Sequence, residues 1–222
     1  MITIIETVGA RIDRRAAAYA ELPVFRALRT DAVPTARFPA FFREQAVAAR
    51  FFQDLIWAAT EIQTPELAAF AAAHRRVDSG HWRWSEHDLT TTGQPPLTVS
   101  DCFSLEFLET RIQMARMLAV FHDASPTERL VALCALETAG TITLGTLFAY
   151  VTRHHLDHVL YLGAPHVNIE ANQVEGLRDR LGENLASCAP ALLSIVETIF
   201  DALGCMFDRG AARHWPDLVE AA

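Results

Sequence analysis

Residues 38–60 read FPAFFREQAVAARFFQDLIWAAT, with Phe41, Phe42, Val47, Phe51, Phe52, Leu55 and Ile56 recurring at the spacing of one helical face. That period predicts a long helix, and the chain reads the same way in both directions from it. Upstream, a helical pattern covers roughly Ile4 to Ala20, and Leu22 to Val33 is a short helix or turn stopped by Pro34. Downstream, Thr64-Pro65-Glu66 supplies an N-cap, a proline at the first helical position and an acidic first turn. The helix it starts carries Leu67, Phe70, His74, Val77, Asp78 and His81. Gly93-Gln94-Pro95-Pro96 marks a loop between Thr90 and Thr98, and a helix from about Ser100 to His122 follows. After Asp123-Ala124-Ser125-Pro126, Ser125 or Thr127 caps a helix that continues towards Arg153. His154 to Gly163 carries no clear pattern. Pro165 opens a helix through Leu181, and the last runs from Pro190 to about Arg209-Gly210. No alternating strand interrupts this series, so the expectation is an all-α bundle of about seven helices, one domain over residues 1–222.

Composition narrows the function. The chain has 222 residues, 51% hydrophobic and 21% charged, enough to bury a full core. A net charge of −8, with no basic run longer than Arg14-Arg15 or Arg75-Arg76, argues against nucleic acid as a partner. All 19 cationic residues are arginine, which removes Schiff-base and lysine-bound cofactor chemistry. Cys102, Cys134, Cys188 and Cys205 are widely separated and read as reduced, mostly buried thiols. There is no basic-then-apolar leader, and no window approaches 18 uncharged apolar residues. The expected location is cytoplasmic, without a membrane partner.

Three segments place metal-competent side chains on helices that otherwise look buried. In Asp78-Ser79-Gly80-His81, positions i and i+3 are expected to share one helix face. Glu137 stands alone in Leu133-Cys134-Ala135-Leu136-Glu137-Thr138-Ala139-Gly140, where an unpaired carboxylate costs several kcal/mol. His166, Glu170 and Gln173 fall on one face at offsets of four and seven. Imidazoles mixed with carboxylates suit iron or manganese better than calcium or magnesium. Taken singly, each residue has an ordinary explanation: Asp78 solvated or paired with Arg75 or Arg76, Glu137 paired with an arginine. Trp82 and Trp84 read equally as pocket walls or as packing. His154, His155 and His158 read as an arginine-flanked helix end.

Together these segments resemble the heme-oxygenase-like diiron oxidases, the superfamily of the CADD-type proteins and, more distantly, TenA and PqqC. In that pattern a Glu-x-x-His pair on one core helix precedes a lone Glu on the next, and His-x-x-x-Asp-x-x-His lies on a third. Here Asp78-x-x-His81 stands for the pair and Glu137 for the lone Glu, while the stretch from Tyr161 to Gln173 resembles the third motif. Asp78 replaces a Glu, Glu170 replaces an Asp, and Gln173 replaces a His. The resemblance spans about Phe38 to Phe207. It implies a heme-oxygenase-like bundle with metal ligands Asp78, His81, Glu137, His166 and Glu170, two iron ions (or manganese), and Gln173 as a further ligand or donor. The implied activity is O2-dependent oxidation of a small-molecule substrate, such as an amino acid or fatty acid, by a possible homodimer. Arg75, Arg76 and Arg83 are candidate partners for a substrate carboxylate. Two alternatives stand beside this reading. One is a metal-free binding or scaffold protein of the same fold. The other is a metal-independent TenA- or PqqC-like enzyme using Cys134 or the histidines for acid/base work.

Overall fold

In the computed structural model, which describes residues 6–61 and 64–219, the chain runs through eleven α-helical segments and no strand. They are α1 (Val8–Ala20), α2 (Pro23–Arg29), α3 (Phe38–Ala59), α4 (Pro65–Asp78), α5 (His81–Thr91), α6 (Val99–Phe103), α7 (Leu108–Ala119), α8 (Pro126–Arg153), α9 (Ala164–Leu181), α10 (Pro190–His214) and α11 (Pro216–Val219). The architecture is the expected all-α one. Helix α3 ends within one residue of the stretch its period marks out. Ser125 caps α8 in a reciprocal box, its Oγ accepting from the Glu128 N–H while the Glu128 carboxylate accepts from the Ser125 N–H. Thr64 sits at the N-cap of α4, but its hydroxyl makes no capping bond.

Helix α8 is the axis of the bundle, packed by α1, α2, α3, α9 and α10. It lies antiparallel to α3. Tyr150 near its C-terminus stacks on Phe38 with ring centres 4.7 Å apart and donates to the Val33 carbonyl at 2.9 Å. At the other end, the Arg129 guanidinium donates to the Ala58 carbonyl. Being covered nearly all round, α8 needs no polar stripe. Here the sequence reading needs correction: α8 and α10 each carry an 18-residue window apolar enough to cross a membrane, at mean hydropathy 1.6 and 1.5. These windows are 72% and 50% buried inside the protein, which is what core helices of a bundle show.

Two expected helices are broken. The helix starting at Pro65 stops at Asp78: Ser79 is extended, and Gly80 adopts φ +98°, a left-handed conformation that glycine reaches without strain. Asp78 and His81 therefore do not share a helix face; α5 sets off in a new direction from His81. The expected helix from Ser100 to His122 is likewise interrupted at Ser104, which is extended between α6 and a short 3-10 turn over Leu105–Phe107. Arg111 stabilises this break by donating to the carbonyls of Cys102 at 2.9 Å and Ser104 at 2.7 Å. Helix α1 begins at Val8, with Thr7 accepting from the Ala10 N–H; Ile4 lies outside the described residues. Helix α10 continues past Gly210 to His214. All four cysteines are free, with Cys102 and Cys134 buried, Cys205 half-buried and Cys188 exposed.

Candidate metal centre

The break at Ser79-Gly80 decides how the polar side chains are shared out. Asp78, at the end of α4, joins His74 one turn earlier and Glu137 of α8. His81, at the start of α5, joins His166 and Glu170 of α9. Each trio presents one ligand atom per residue, all within 4.8 Å of one another. The five residues expected from the sequence are thus brought together, with His74 as a sixth. His74, which the sequence places on the same helix as Asp78, was not singled out there as a ligand. The available signal was its offset of four from Asp78.

His74 Nε2 lies 3.0 Å from Glu137 Oε1 and 3.1 Å from Asp78 Oδ2. Its one proton can serve only one of them, and Asp78 Oδ2 is left without a hydrogen bond. In the second trio, His166 Nδ1 donates to the Tyr161 carbonyl at 2.8 Å, which turns Nε2 towards Glu170 Oε1, 3.0 Å away. Two lone pairs then converge unless a proton or a cation lies between them. His81 Nε2 is also buried without a partner. Among the described residues, the ion pairs of Asp78, Glu137 and Glu170 are all with histidines, and no arginine offsets their burial. This donor set fits divalent cations. The second trio has the two-histidine, one-carboxylate composition found at nonheme ferrous sites.

The two trios adjoin. Burial, then the charges of Glu170 and Asp78, push the Glu137 carboxyl well above its ordinary range. For Glu170, burial acts upward but is outweighed by hydrogen bonds from His166 and Glu137, so its carboxyl lies below that range. Protonation is thus favoured on Glu137 and ionisation on Glu170. Gly140, one turn beyond Glu137, admits this approach: a Cβ there would stand 3.1 Å from Glu170 Oε2. Gln173 does not point its oxygen at either trio's carboxylates; its Nε2 donates to Asp78 Oδ1 at 2.6 Å, orienting that carboxylate.

Burial first, and the neighbouring His166 charge second, push the His81 imidazole down to about 4 from 6.5. A lowered value means that the folded state resists a proton the unfolded chain accepts. In chelator-treated protein this stability is intact above pH 6.5 and is lost as pH falls from 6.5 through 4, by about 3 kcal/mol. Urea titrations across that window should show the acid loss in the parent and a much flatter limb in His81→Asn; equal slopes would contradict the assignment.

A second unforeseen residue is Asp88, fully buried on α5. Its carboxylate accepts from the backbone N–H of Leu160 at 2.6 Å and of Leu162 at 2.9 Å. It thereby fixes the patternless stretch before α9, including the Tyr161 carbonyl that orients His166. Asp88→Ala leaves the buried Leu162 amide and the half-buried Leu160 amide unpaired and is expected to cost about 2–3 kcal/mol. Metal affinity should fall roughly 10- to 100-fold with it, as on loss of a ligand-orienting partner. Thermal midpoints and iron titration check both, and unchanged values would remove Asp88 from the support of the site.

The trios open onto a cavity of about 80 Å³ whose walls include Ala48, Phe52, Ile56, Trp82, Leu136 and Leu144. Trp84 lies outside that lining and instead stacks on His81, ring centres 4.6 Å apart. Arg75, Arg76 and Arg83 do not line the cavity, contrary to the sequence expectation. Arg75 lies over the Trp57 ring and donates to Thr60, and Arg83 lies over Trp82. His154 pairs with Asp31 at the end of α8, away from the trios. Cys134 is buried, with its thiol pushed up to about 11 by desolvation.

Comparison with solved structures gives the same architecture. A domain of unknown function with a heme oxygenase-like fold from Shewanella denitrificans OS217 superposes with a TM-score of 0.64 at 14% identity, over 93% of this chain and 89% of that one. The chain has a heme-oxygenase-like fold. A TenA homologue from P. horikoshii OT3 also matches, with a TM-score of 0.56 at 13% identity over 97% of both chains. No protein-family model and no curated protein matches the sequence. Within this heme-oxygenase-like fold, α4, α5, α8 and α9 carry the two trios.

Proposed function

We propose that the protein is a nonheme iron-dependent oxidase or oxygenase that binds two metal ions and oxidises a small, largely apolar metabolite with O2. The observation that carries this reading is the burial of three carboxylates with three imidazoles and no arginine, divided into two adjoining trios. His74, Asp78 and Glu137 would hold one ion; His81, His166 and Glu170 would hold the other. Together the six ligands bring three negative charges, less than the four positive charges that two ferrous ions would bring. Ferrous ions held there would supply electrons for the reduction of O2. The chain's own residues do the rest. Gln173 and the Tyr161 carbonyl orient ligands from behind, and the apolar cavity walls keep bulk water from the ligand faces. A cysteine-based reaction of the TenA type is not favoured, since a buried thiol near 11 carries little thiolate at neutral pH.

The test is metal stoichiometry and O2 consumption in one preparation. Protein reconstituted anaerobically with ferrous iron should retain about two irons per chain after desalting and should bleach or colour on exposure to O2. Retention of no iron, with an unchanged melting temperature on iron addition, would remove the reading and favour a metal-free binding protein.

A further inference from the structure

We propose that Gln45 is the specificity-determining residue of the cavity, selecting an apolar substrate whose far end is a neutral group that both gives and accepts hydrogen bonds, as a primary amide does. Gln45 lines the same cavity as the trios, is 4% exposed, and has no hydrogen-bond partner among the described residues for either its Nε2 or its Oε1. An amide in that condition has given up its water without replacement, a loss that a matching ligand would restore. Its place relative to the trios follows from the antiparallel packing of α3 and α8. Phe38 lies beside Tyr150 and Ala58 beside Arg129, so Gln45 stands level with Ile142 and Thr143 of α8. Glu137 is about one and a half turns back along α8, on the order of 8 Å at 1.5 Å per residue. The wall between the two ends is apolar, formed by Ala48, Ala49, Phe52 and Leu136 among others.

Among the described residues, the polar side chains that line this far end, Gln45, Tyr19 and Thr143, are neutral, and the carboxylates of Glu44 and Asp208 lie behind them. Tyr19 and Thr143 both line the cavity and share a hydroxyl hydrogen bond of 2.9 Å; burial holds the Tyr19 phenol above its ordinary value. Glu44, next to Gln45, is occupied: it accepts from Thr110 at 2.8 Å and faces Arg213 and His214, each at 3.3 Å. Among the described residues, no cationic side chain lines the cavity apart from the trios' histidines. A carboxylate reaching Gln45 would be desolvated without a cationic partner in the cavity wall, and an ammonium would find no carboxylate in that wall outside the trios. Sites built to pair a substrate's hydrogen-bonding group reject analogues that lack it far more strongly than apolar pockets reject size changes.

This inference rests on the oxidase reading only for the reaction at the other end, and its test separates the two. Octanamide, octanoate and octylammonium are titrated calorimetrically into the full chain, both as iron-loaded and as chelator-treated protein. Octanamide should bind the chelator-treated protein at least about 10-fold more tightly than either charged probe, with or without a working metal site. Gln45→Leu and Gln45→Met should lose that preference while keeping the helical spectrum. Their melting temperatures should equal or exceed the parent's, because an unpaired buried amide is removed; a purely structural Gln45 would instead leave both variants less stable. Equal affinities for the three probes, no octanamide binding to folded parent, or an unchanged preference in both variants would each overturn the proposal. Loss of iron binding with the amide preference intact would count against the oxidase reading alone.

Discussion

Replacing His74 with alanine is expected to lower iron affinity at the first site by more than roughly 100-fold, beyond what loss of a ligand-orienting partner does. His74 lies at the meeting point of Glu137 and Asp78, at 3.0 and 3.1 Å, so its removal leaves two carboxylates facing one another with no imidazole between them. The second trio keeps His81, His166 and Glu170, so anaerobically loaded protein should fall from about two irons per chain to about one. His166→Ala should empty the other site instead, and the double variant both. Two irons retained in His74→Ala would show that the grouping of ligands into trios is wrong.

The second large effect has opposite signs with and without metal. Glu137 is held above its ordinary range by burial and by Glu170 and Asp78, so the folded state binds its proton more tightly than the unfolded chain does. The stability this proton provides is present at low pH and is lost as pH rises through the folded value. Glu137→Gln keeps the shape and the hydrogen-bonding pattern of the protonated acid. In chelator-treated protein it should raise the melting temperature, by about 5 °C at alkaline pH for roughly 2 kcal/mol in a chain of this size, and by progressively less towards pH 5. In iron-loaded protein the same change should lower the melting temperature, because a ligand is lost. Scans at pH 5 and pH 8, with chelator and with iron, give four values. A destabilised chelator-treated variant at pH 8 would mean that Glu137 is not under charge stress in the folded protein.

Much of this was legible in the residues. The phenylalanine spacing over 38–60, Pro65 behind Thr64, and Ser125 with Glu128 are local signals, and local signals fix helices wherever tertiary packing agrees with them. Glu137 was legible for the complementary reason: a charge inside an apolar helix needs a partner, whatever the fold. The breaks at Ser79-Gly80 and Ser104 were not, since neither contains a proline. Gly80 is tolerated in many helices, and Ser104 is held extended by Arg111, a contact made across the break. Asp88 was missed because it sits among polar residues along the chain, and His74 because a lone histidine on a helix does not by itself mark a ligand. Their burial arises only when α4 and α5 close over α8 and α9.

Helix α4 packs principally against α3 and yet supplies two of the three ligands of one trio. Its inner end also meets the axial helix α8 through His74 and Asp78, whose side chains gather with Glu137. An ion in that trio would act as a rivet between a peripheral strut and the central post, on the opposite side of the Ser79-Gly80 joint from the ion in the second trio. The two ions would then differ in mechanical role even where they share chemistry. One would clamp α5 to α9, next to the stretch before α9 that Asp88 already holds to α5; the other would complete the attachment of α4 itself.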